Sequence, residues 1–269
     1  MDMDTLSHSP GRVTIHHSGG IARIEIDNPS RFNAMSMAMW HQLLTFVREA
    51  DAHPDTRVIV LAGTGERAFV SGADISEFGQ QRRDPEQVLR YEHAVADAQA
   101  ALSNSPHPVI AEIQGVCMGG GLGMALSCDL RYCNRSARFR MPAARLGLGY
   151  TLAGVTRMTE MIGAARTADL FLTARTFDGT EAARAGVVHE VFDDDIFADT
   201  VLARIQKVAG NAPLTLRAAK LALRHIAGDP DAPSAEVVND AVSACFTSDD
   251  YQEGQAAFKA KRPAVFTGR

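Results

Sequence analysis

The chain of 269 residues lacks any apolar run long enough to cross a bilayer, so no membrane span is expected. It also lacks a basic excess. Lys and Arg number 27 against 32 Asp and Glu, a formal net charge of −5, which argues against a nucleic-acid partner. The opening "MDMDTLSHSP" is acidic and polar and has no apolar segment of the secretory kind, so a cytoplasmic protein is expected. Cysteine is scarce. Cys117, Cys128, Cys133 and Cys245 form no CxxC pair and sit in apolar surroundings, so they read as reduced core residues. His16 and His17 have no paired cysteine or HExxH partner and read as solvated strand residues, so no metal is expected. What is plentiful is apolar character: 46% of residues are hydrophobic, enough for one large core, or one core plus a small appendage.

Two β-rich runs, "RVTIHHS" and "IARIEID", flank Gly19-Gly20 and predict a hairpin. Ser36 is placed to cap a helix over "MAMWHQLLTFVREADAH". "RVIVLAGTG" reads as a buried strand, and "RAFVSGADI" as a short extended segment ending in a turn. Asp84-Pro85 opens a long helix to about Ser103, and "PVIAEIQGVCMG" reads as the next strand. A helix carrying Met124 to Cys128 follows, then the strands "DLRYCNR" and "RFRM". From Ile196 onward four amphipathic helices are expected, each with an apolar stripe to bury. The reading is α/β, with a β-containing core over 1–195 and a helical region over 196–269.

The stretch "CMGGGLGMALSCD", residues 117–129, holds four glycines between apolar runs. Each would cost a helix interior about 1 kcal/mol relative to alanine. A dinucleotide fingerprint fails, because from Gly119 the third glycine position is Met124; a P-loop fails for want of GK[ST]. Two uses remain open: close packing of helix on strand, or bare backbone N–H groups holding charge on a carbonyl oxygen.

"RAFVSGADISEF", residues 67–78, followed by "GVCMGGGLGMALSCD", resembles the crotonase family, also called the enoyl-CoA hydratase/isomerase superfamily. The resemblance continues through "RFRMPAARLGLGYTLAGVTRM", "LTARTFDGTEAARAGVVHEV" and "EGQAAFKAKRPAVF", covering nearly the whole chain in order. It implies a spiral core of ββα turns and a C-terminal helical region used in trimerisation, the trimers often pairing into hexamers. It implies acyl-CoA thioester substrates, with coenzyme A as part of the substrate and no separate cofactor. It also implies an oxyanion hole of two backbone N–H groups, which by motif position fall on Ala73 and Gly120.

The sequence departs from that pattern at the acid/base positions. Hydratases of the family place one glutamate where this chain has Gly123 and a second where it has Ala143; a dienoyl-type isomerase uses an aspartate where it has Thr151. Hydration needs a group to activate water and one to deliver a proton, and glycine and alanine do neither. Tyr150 is the candidate proton donor, against a packing tyrosine with its hydroxyl at the surface. Arg140 and Arg145 flank Ala143 as candidates for a substrate carboxylate, or for an ion pair with an acid such as Glu160. Asp129 is expected to tie the chain structurally, Glu77 to be solvated near the pocket mouth, and His41 to be at the surface.

For the CoA moiety, the resemblance points to Ser30, Arg31 and Phe32 in "PSRFNA", to Asp74 and Ile75 beside Ala73, and to Phe258 and Lys261 supplied by a neighbouring subunit. Ser30 replaces a common lysine, a role Arg31 is placed to take. Three functions fit these residues. The first is an acyl-CoA enzyme of the hydratase/isomerase type lacking the usual glutamates. The second is a decarboxylase of a malonyl-CoA-type thioester, in which loss of carbon dioxide creates the enolate without a base. The third is a non-catalytic acyl-CoA-binding protein. A homotrimer or dimer of trimers is expected.

Overall fold

The Gly19-Gly20 turn has positive φ at both glycines (57° and 79°), the geometry that suits the right-handed twist of a two-residue hairpin. It joins β1 (Arg12–Ser18) to β2 (Ile21–Asp27), paired antiparallel in register. The computed structural model describes residues 11–74, 84–228 and 231–269. The Ser36 hydroxyl accepts from the Met39 N–H at 3.2 Å and caps α1 (Met37–Ala52). Asp84 does the same for Gln87 at 2.9 Å at the head of α2 (Pro85–Asn104). Both helices begin where their capping residues predict.

From β3 onward the chain repeats one move: a strand in a large sheet, then a strand in a small one. β3 (Val58–Gly63), β5 (Val109–Ile113) and β7 (Leu130–Asn134) join the large sheet in parallel. β4 (Ala68–Val70), β6 (Val116–Met118) and β8 (Arg138–Arg140) join the small one, also in parallel. α2 and α3 (Gly120–Leu126) link successive turns. After β8 come α4 (Ala143–Leu146), α5 (Leu152–Ile162), α6 (Ala164–Thr173), β9 (Phe177–Asp178), α7 (Gly179–Arg184) and β10 (Glu190–Phe192). The sheet orders are β1-β2-β3-β5-β7-β10 and β4-β6-β8-β9. This is the expected spiral.

Two boundaries differ from the sequence reading. "PVIAEIQGVCMG" is not one strand but β5 and β6, in different sheets. The break is at Gly115, whose φ of 64° turns the chain, and whose missing Cβ would overlap the Arg67 carbonyl. The helix placed at Met124–Cys128 starts at the glycines themselves and ends at Leu126. Cys117, Cys128 and Cys133 are buried as expected, whereas Cys245 is only partly so.

The β3 side chains alternate between two cores. Ile59 and Leu61 face the main one with Trp40, Phe69, Leu122 and Phe139. Val58 and Val60 face Phe197, Val201 and Ile205, one stripe of α8 (Phe197–Ala209). The helical region continues as α9 (Pro213–Ala227), α10 (Ala235–Phe246) and α11 (Asp249–Ala260), close to the four helices expected.

Lys220 anchors α9 to the core. Its ammonium donates to the His107 carbonyl and to the Asp129 carboxylate, each at 2.7 Å, and the same carboxylate oxygen accepts the Val109 N–H at 2.7 Å. Asp129 is thus the structural tie its motif suggests. Lys220→Ala will cost about 2 kcal/mol, because it leaves a half-buried carboxylate without its cation. Denaturant unfolding checks this, and an unchanged midpoint would refute it.

Candidate active site

Two turns meet at the centre of the spiral. The first follows β4. Met35 donates to the Gly72 carbonyl at 2.8 Å and accepts from the Asp74 N–H at 2.9 Å, a one-residue parallel bridge. Backbone groups alternate sides along an extended chain, so the Ala73 N–H points away from Met35. The second turn follows β6. Gly119, at φ 52° and ψ −117°, spends its own N–H on the Arg140 carbonyl (3.0 Å) and starts α3. Gly120 is the first residue of α3, so its N–H has no intrahelical partner. A Cβ placed on Gly72 would lie 3.8 Å from the Gly120 nitrogen, so the two turns abut.

The three consecutive glycines serve different ends. Gly119 adopts a backbone conformation that side chains disfavour. Gly120 faces the Trp40 ring, with 3.4 Å available to a Cβ. Gly121 is bare for packing: its Cβ would overlap the Val70 carbonyl oxygen and lie 2.8 Å from the Val70 Cβ. Both uses left open by the sequence are therefore present: close packing at Gly121 and an unencumbered helix start at Gly120.

Of the residues expected for the CoA moiety, Ser30, Arg31, Phe32 and Asp74 lie beside the first turn. Asn28 and Asn33 shape that loop. The Asn33 side chain accepts from the Asn28 N–H (2.9 Å) and donates to the Thr64 (3.0 Å) and Ala68 (2.7 Å) carbonyls. This holds Phe32 and Asn33 at positive φ, 52° and 55°. Arg31 pairs with Asp74 at 2.7 Å, and Ser30, Arg31 and Phe32 are exposed. The Arg67 guanidinium lies 4.1 Å over the Phe32 ring, a cation the sequence reading missed although it opens the quoted motif. Ile75 and Glu77 lie outside the described residues. Phe258 is 86% exposed on α11, and Lys261 ends that helix at φ 51°.

The positions expected for the acid and base, 123, 143 and 151, carry glycine, alanine and threonine. Ala143 is buried at the start of α4. Thr151 caps α5, its hydroxyl accepting the Gly154 N–H at 3.2 Å. Arg140 is held to the Ala174 carbonyl through Nε at 2.8 Å, Arg145 is exposed on α4, and it is Arg157 that lies 4.0 Å from Glu160. The ion pair suggested for Arg140 or Arg145 thus belongs to Arg157, which reaches Glu160 from one turn away on the same helix. His41 is exposed as expected. A Cβ on Gly123 would lie 2.9 Å from Gln99 Nε2 and 3.1 Å from the Tyr150 hydroxyl. These two side chains occupy the space beside Gly123.

Tyr150 does not carry its hydroxyl to the surface. Its ring packs edge-on against Phe171 at 5.0 Å, and burial, with Tyr91 adding, pushes its pKa up to about 12. It is therefore a neutral O–H donor at physiological pH, not a base. Trp40 Nε1 donates to the Tyr91 hydroxyl at 3.0 Å in the same wall. Gln99 escaped the sequence reading. Its signal is a polar side chain beside the buried stripe Tyr91, Ala94, Ala98 and Leu102 of α2.

The family model described as enoyl-CoA hydratase/isomerase matches residues 16–269. The chain belongs to the enoyl-CoA hydratase/isomerase family. It is 28% identical to the short-chain-enoyl-CoA hydratase of Clostridium acetobutylicum, over 93% of this chain and 95% of the relative. It is 32% identical to the peroxisomal Delta(3,5)-Delta(2,4)-dienoyl-CoA isomerase of Arabidopsis thaliana, over 90% of both. A crystal structure from Magnetospirillum magneticum, described as an enoyl-CoA hydratase/carnithine racemase, superposes with a TM-score of 0.91 at 33% identity, covering 96% of each chain. The enoyl-CoA hydratase of Bacillus anthracis superposes at 0.86 and 26%, over 96% of this chain and 99% of that one. These matches confirm the crotonase-type spiral. Among the described residues no group of His, Cys, Asp or Glu is arranged to hold a metal, and no helix is long and apolar enough to cross a membrane.

Proposed function

We propose that the protein is an acyl-CoA enzyme that holds the substrate's thioester oxygen between the N–H groups of Ala73 and Gly120 while an enolate forms. The observation that carries this is the abutting of the two turns, with one N–H aimed away from its strand partner and the other at an open helix start. Backbone donors are preorganised and lose no rotamer freedom on binding. Arg31, Ser30, Phe32, Asp74 and the added cation Arg67 form the CoA-facing turn. Ile75 belongs to the same expected set. The activated group arrives on the substrate, with no resident cofactor. Gly123 and Ala143 supply no acid or base, so the proton leaving the α-carbon passes to solvent water, while Tyr150 acts only as a neutral donor.

The test removes one donor alone. Proline is tolerated at the first position of a helix and has no N–H, so Gly120→Pro deletes the donor while leaving the turn. Turnover will fall about 10²-fold with CoA-thioester binding retained. The substrate panel is crotonyl-CoA, a 3-enoyl-CoA and methylmalonyl-CoA. A bound structure with the thioester oxygen away from both nitrogens would overturn the reading.

We also infer a homotrimer, or a dimer of trimers, built through the helical region. Leu223, Ile226, Phe246 and Phe258 are 67%, 78%, 62% and 86% exposed, apolar area that a lone chain leaves in water. Phe258 and Lys261 then reach a neighbour's CoA site. Sedimentation equilibrium will give a multiple of three chain masses; a stable monomer refutes it.

A further inference from the structure

We propose that Gln99 and Tyr150 form a neutral donor pair that receives a ketone oxygen on the third carbon of the acyl chain, making a 3-oxoacyl-CoA thioester the preferred ligand. This rests on the oxyanion reading above. Gln99 Nε2 is buried and has no hydrogen-bond partner among the described residues. An amide donor left that way carries a desolvation penalty that a ligand oxygen would relieve. The Tyr150 hydroxyl converges on the same space: both atoms would touch a Cβ on Gly123, at 2.9 and 3.1 Å. Glycine at 123 is what lets both approach.

The chemistry of the pair selects its partner. Two donors with nothing demanded in return match a ketone oxygen, which has two lone pairs and no proton. A carboxylate fits less well. The wall beside the pair is Trp40, Tyr91 and Phe171, and Arg140 is tied by its Nε to a backbone carbonyl. The burial that raises the Tyr150 pKa penalises a bare anion in the same place. Spacing points to the carbon. Gly123 follows Gly120 by three residues on α3, about 4.5 Å along the helix axis. A rise of that order suits a thioester oxygen near Gly120 and a second oxygen two carbons along the acyl chain beside Gly123. The α-carbon of such a ligand lies between two carbonyls and gives up its proton far more readily than that of a simple thioester. An enolate spread over both oxygens would be held at both ends by neutral donors, and its α-proton, acidic enough to leave to hydroxide or buffer base in the solvent, needs no carboxylate at Gly123 or Ala143.

The experiment titrates the full-length protein with 3-oxobutanoyl-CoA, butanoyl-CoA and malonyl-CoA by calorimetry, and follows the ultraviolet enolate band of the first. The expected result is 3-oxobutanoyl-CoA binding at least about tenfold tighter than the other two, with growth of the enolate band. In a Gln99→Leu, Tyr150→Phe variant that preference and the band disappear, while butanoyl-CoA still binds, showing the fold intact. Equal affinity for butanoyl-CoA and 3-oxobutanoyl-CoA overturns the proposal and leaves the oxyanion reading standing. So does a preference that survives the double variant, or malonyl-CoA binding as tightly. Failure of all three thioesters to bind overturns both.

Discussion

Gly121→Ala will destabilise the fold by on the order of 4 kcal/mol, while Gly120→Ala, one residue away, will be tolerated. The two positions look alike in sequence and differ in what stands opposite. At Gly121 a methyl group would overlap the carbonyl oxygen of Val70 and lie 2.8 Å from its Cβ. Val70 is the last residue of β4, fully buried, so the obstacle is backbone in the small sheet and cannot rotate aside. At Gly120 the nearest atom is the edge of the Trp40 ring at 3.4 Å, an ordinary contact. Equilibrium unfolding of the two single variants measures the contrast. Equal stability would show that α3 slides along β4 without cost, and that the close approach at Gly121 is not what demands glycine.

The sequence disclosed the elements whose signals are local. Ser36 and Asp84 each accept a backbone N–H at the helix start read for them, and the apolar stripes behind them mark the helices. The step from β5 to β6 was hidden because both strands are apolar. The change of sheet is written only in the φ of Gly115 and its approach to Arg67, a contact across 48 positions that no local pattern reports.

The site was legible in its absences more than in its contents. Glycine at 123 and alanine at 143 stand where the resemblance implies carboxylates. What fills the space had to come from the fold. Gln99 reaches Gly123 from the middle of α2, and Tyr150 from the loop before α5. Neither lies within a sequence window of the other. The Arg67–Phe32 contact was hidden for the same reason: two loops are brought together by the Asn33 side chain bridging Asn28, Thr64 and Ala68. The resemblance grouped Arg31 and Asp74 at one expected site, and the two pair directly.

Installing Glu at 123 and 143 will confer hydration of crotonyl-CoA only when Gln99 is shortened at the same time. Hydration needs one group to activate water and another to deliver a proton, each worth ~10²- to 10⁴-fold in rate. The resemblance implies glutamates at these two positions in hydratases of the family, but in this chain the space at 123 is taken. The Cβ of a new glutamate would meet Gln99 Nε2 at 2.9 Å and the Tyr150 hydroxyl at 3.1 Å. The Gln99 amide is the end of a flexible side chain and can be cut back. Tyr150 is braced by Phe171 and would instead hydrogen-bond the incoming carboxylate. The double variant Gly123→Glu, Ala143→Glu will therefore gain little, its first carboxylate pushed off line. Adding Gln99→Ala will raise crotonyl-CoA hydration at least ~10²-fold over the parent. Loss of the enoyl absorbance, followed for all three proteins under one set of conditions, decides the matter. A parent that already hydrates crotonyl-CoA as fast as the triple variant would show that other residues supply the acid and base. A double variant as fast as the triple would show that Gln99 does not hold the space.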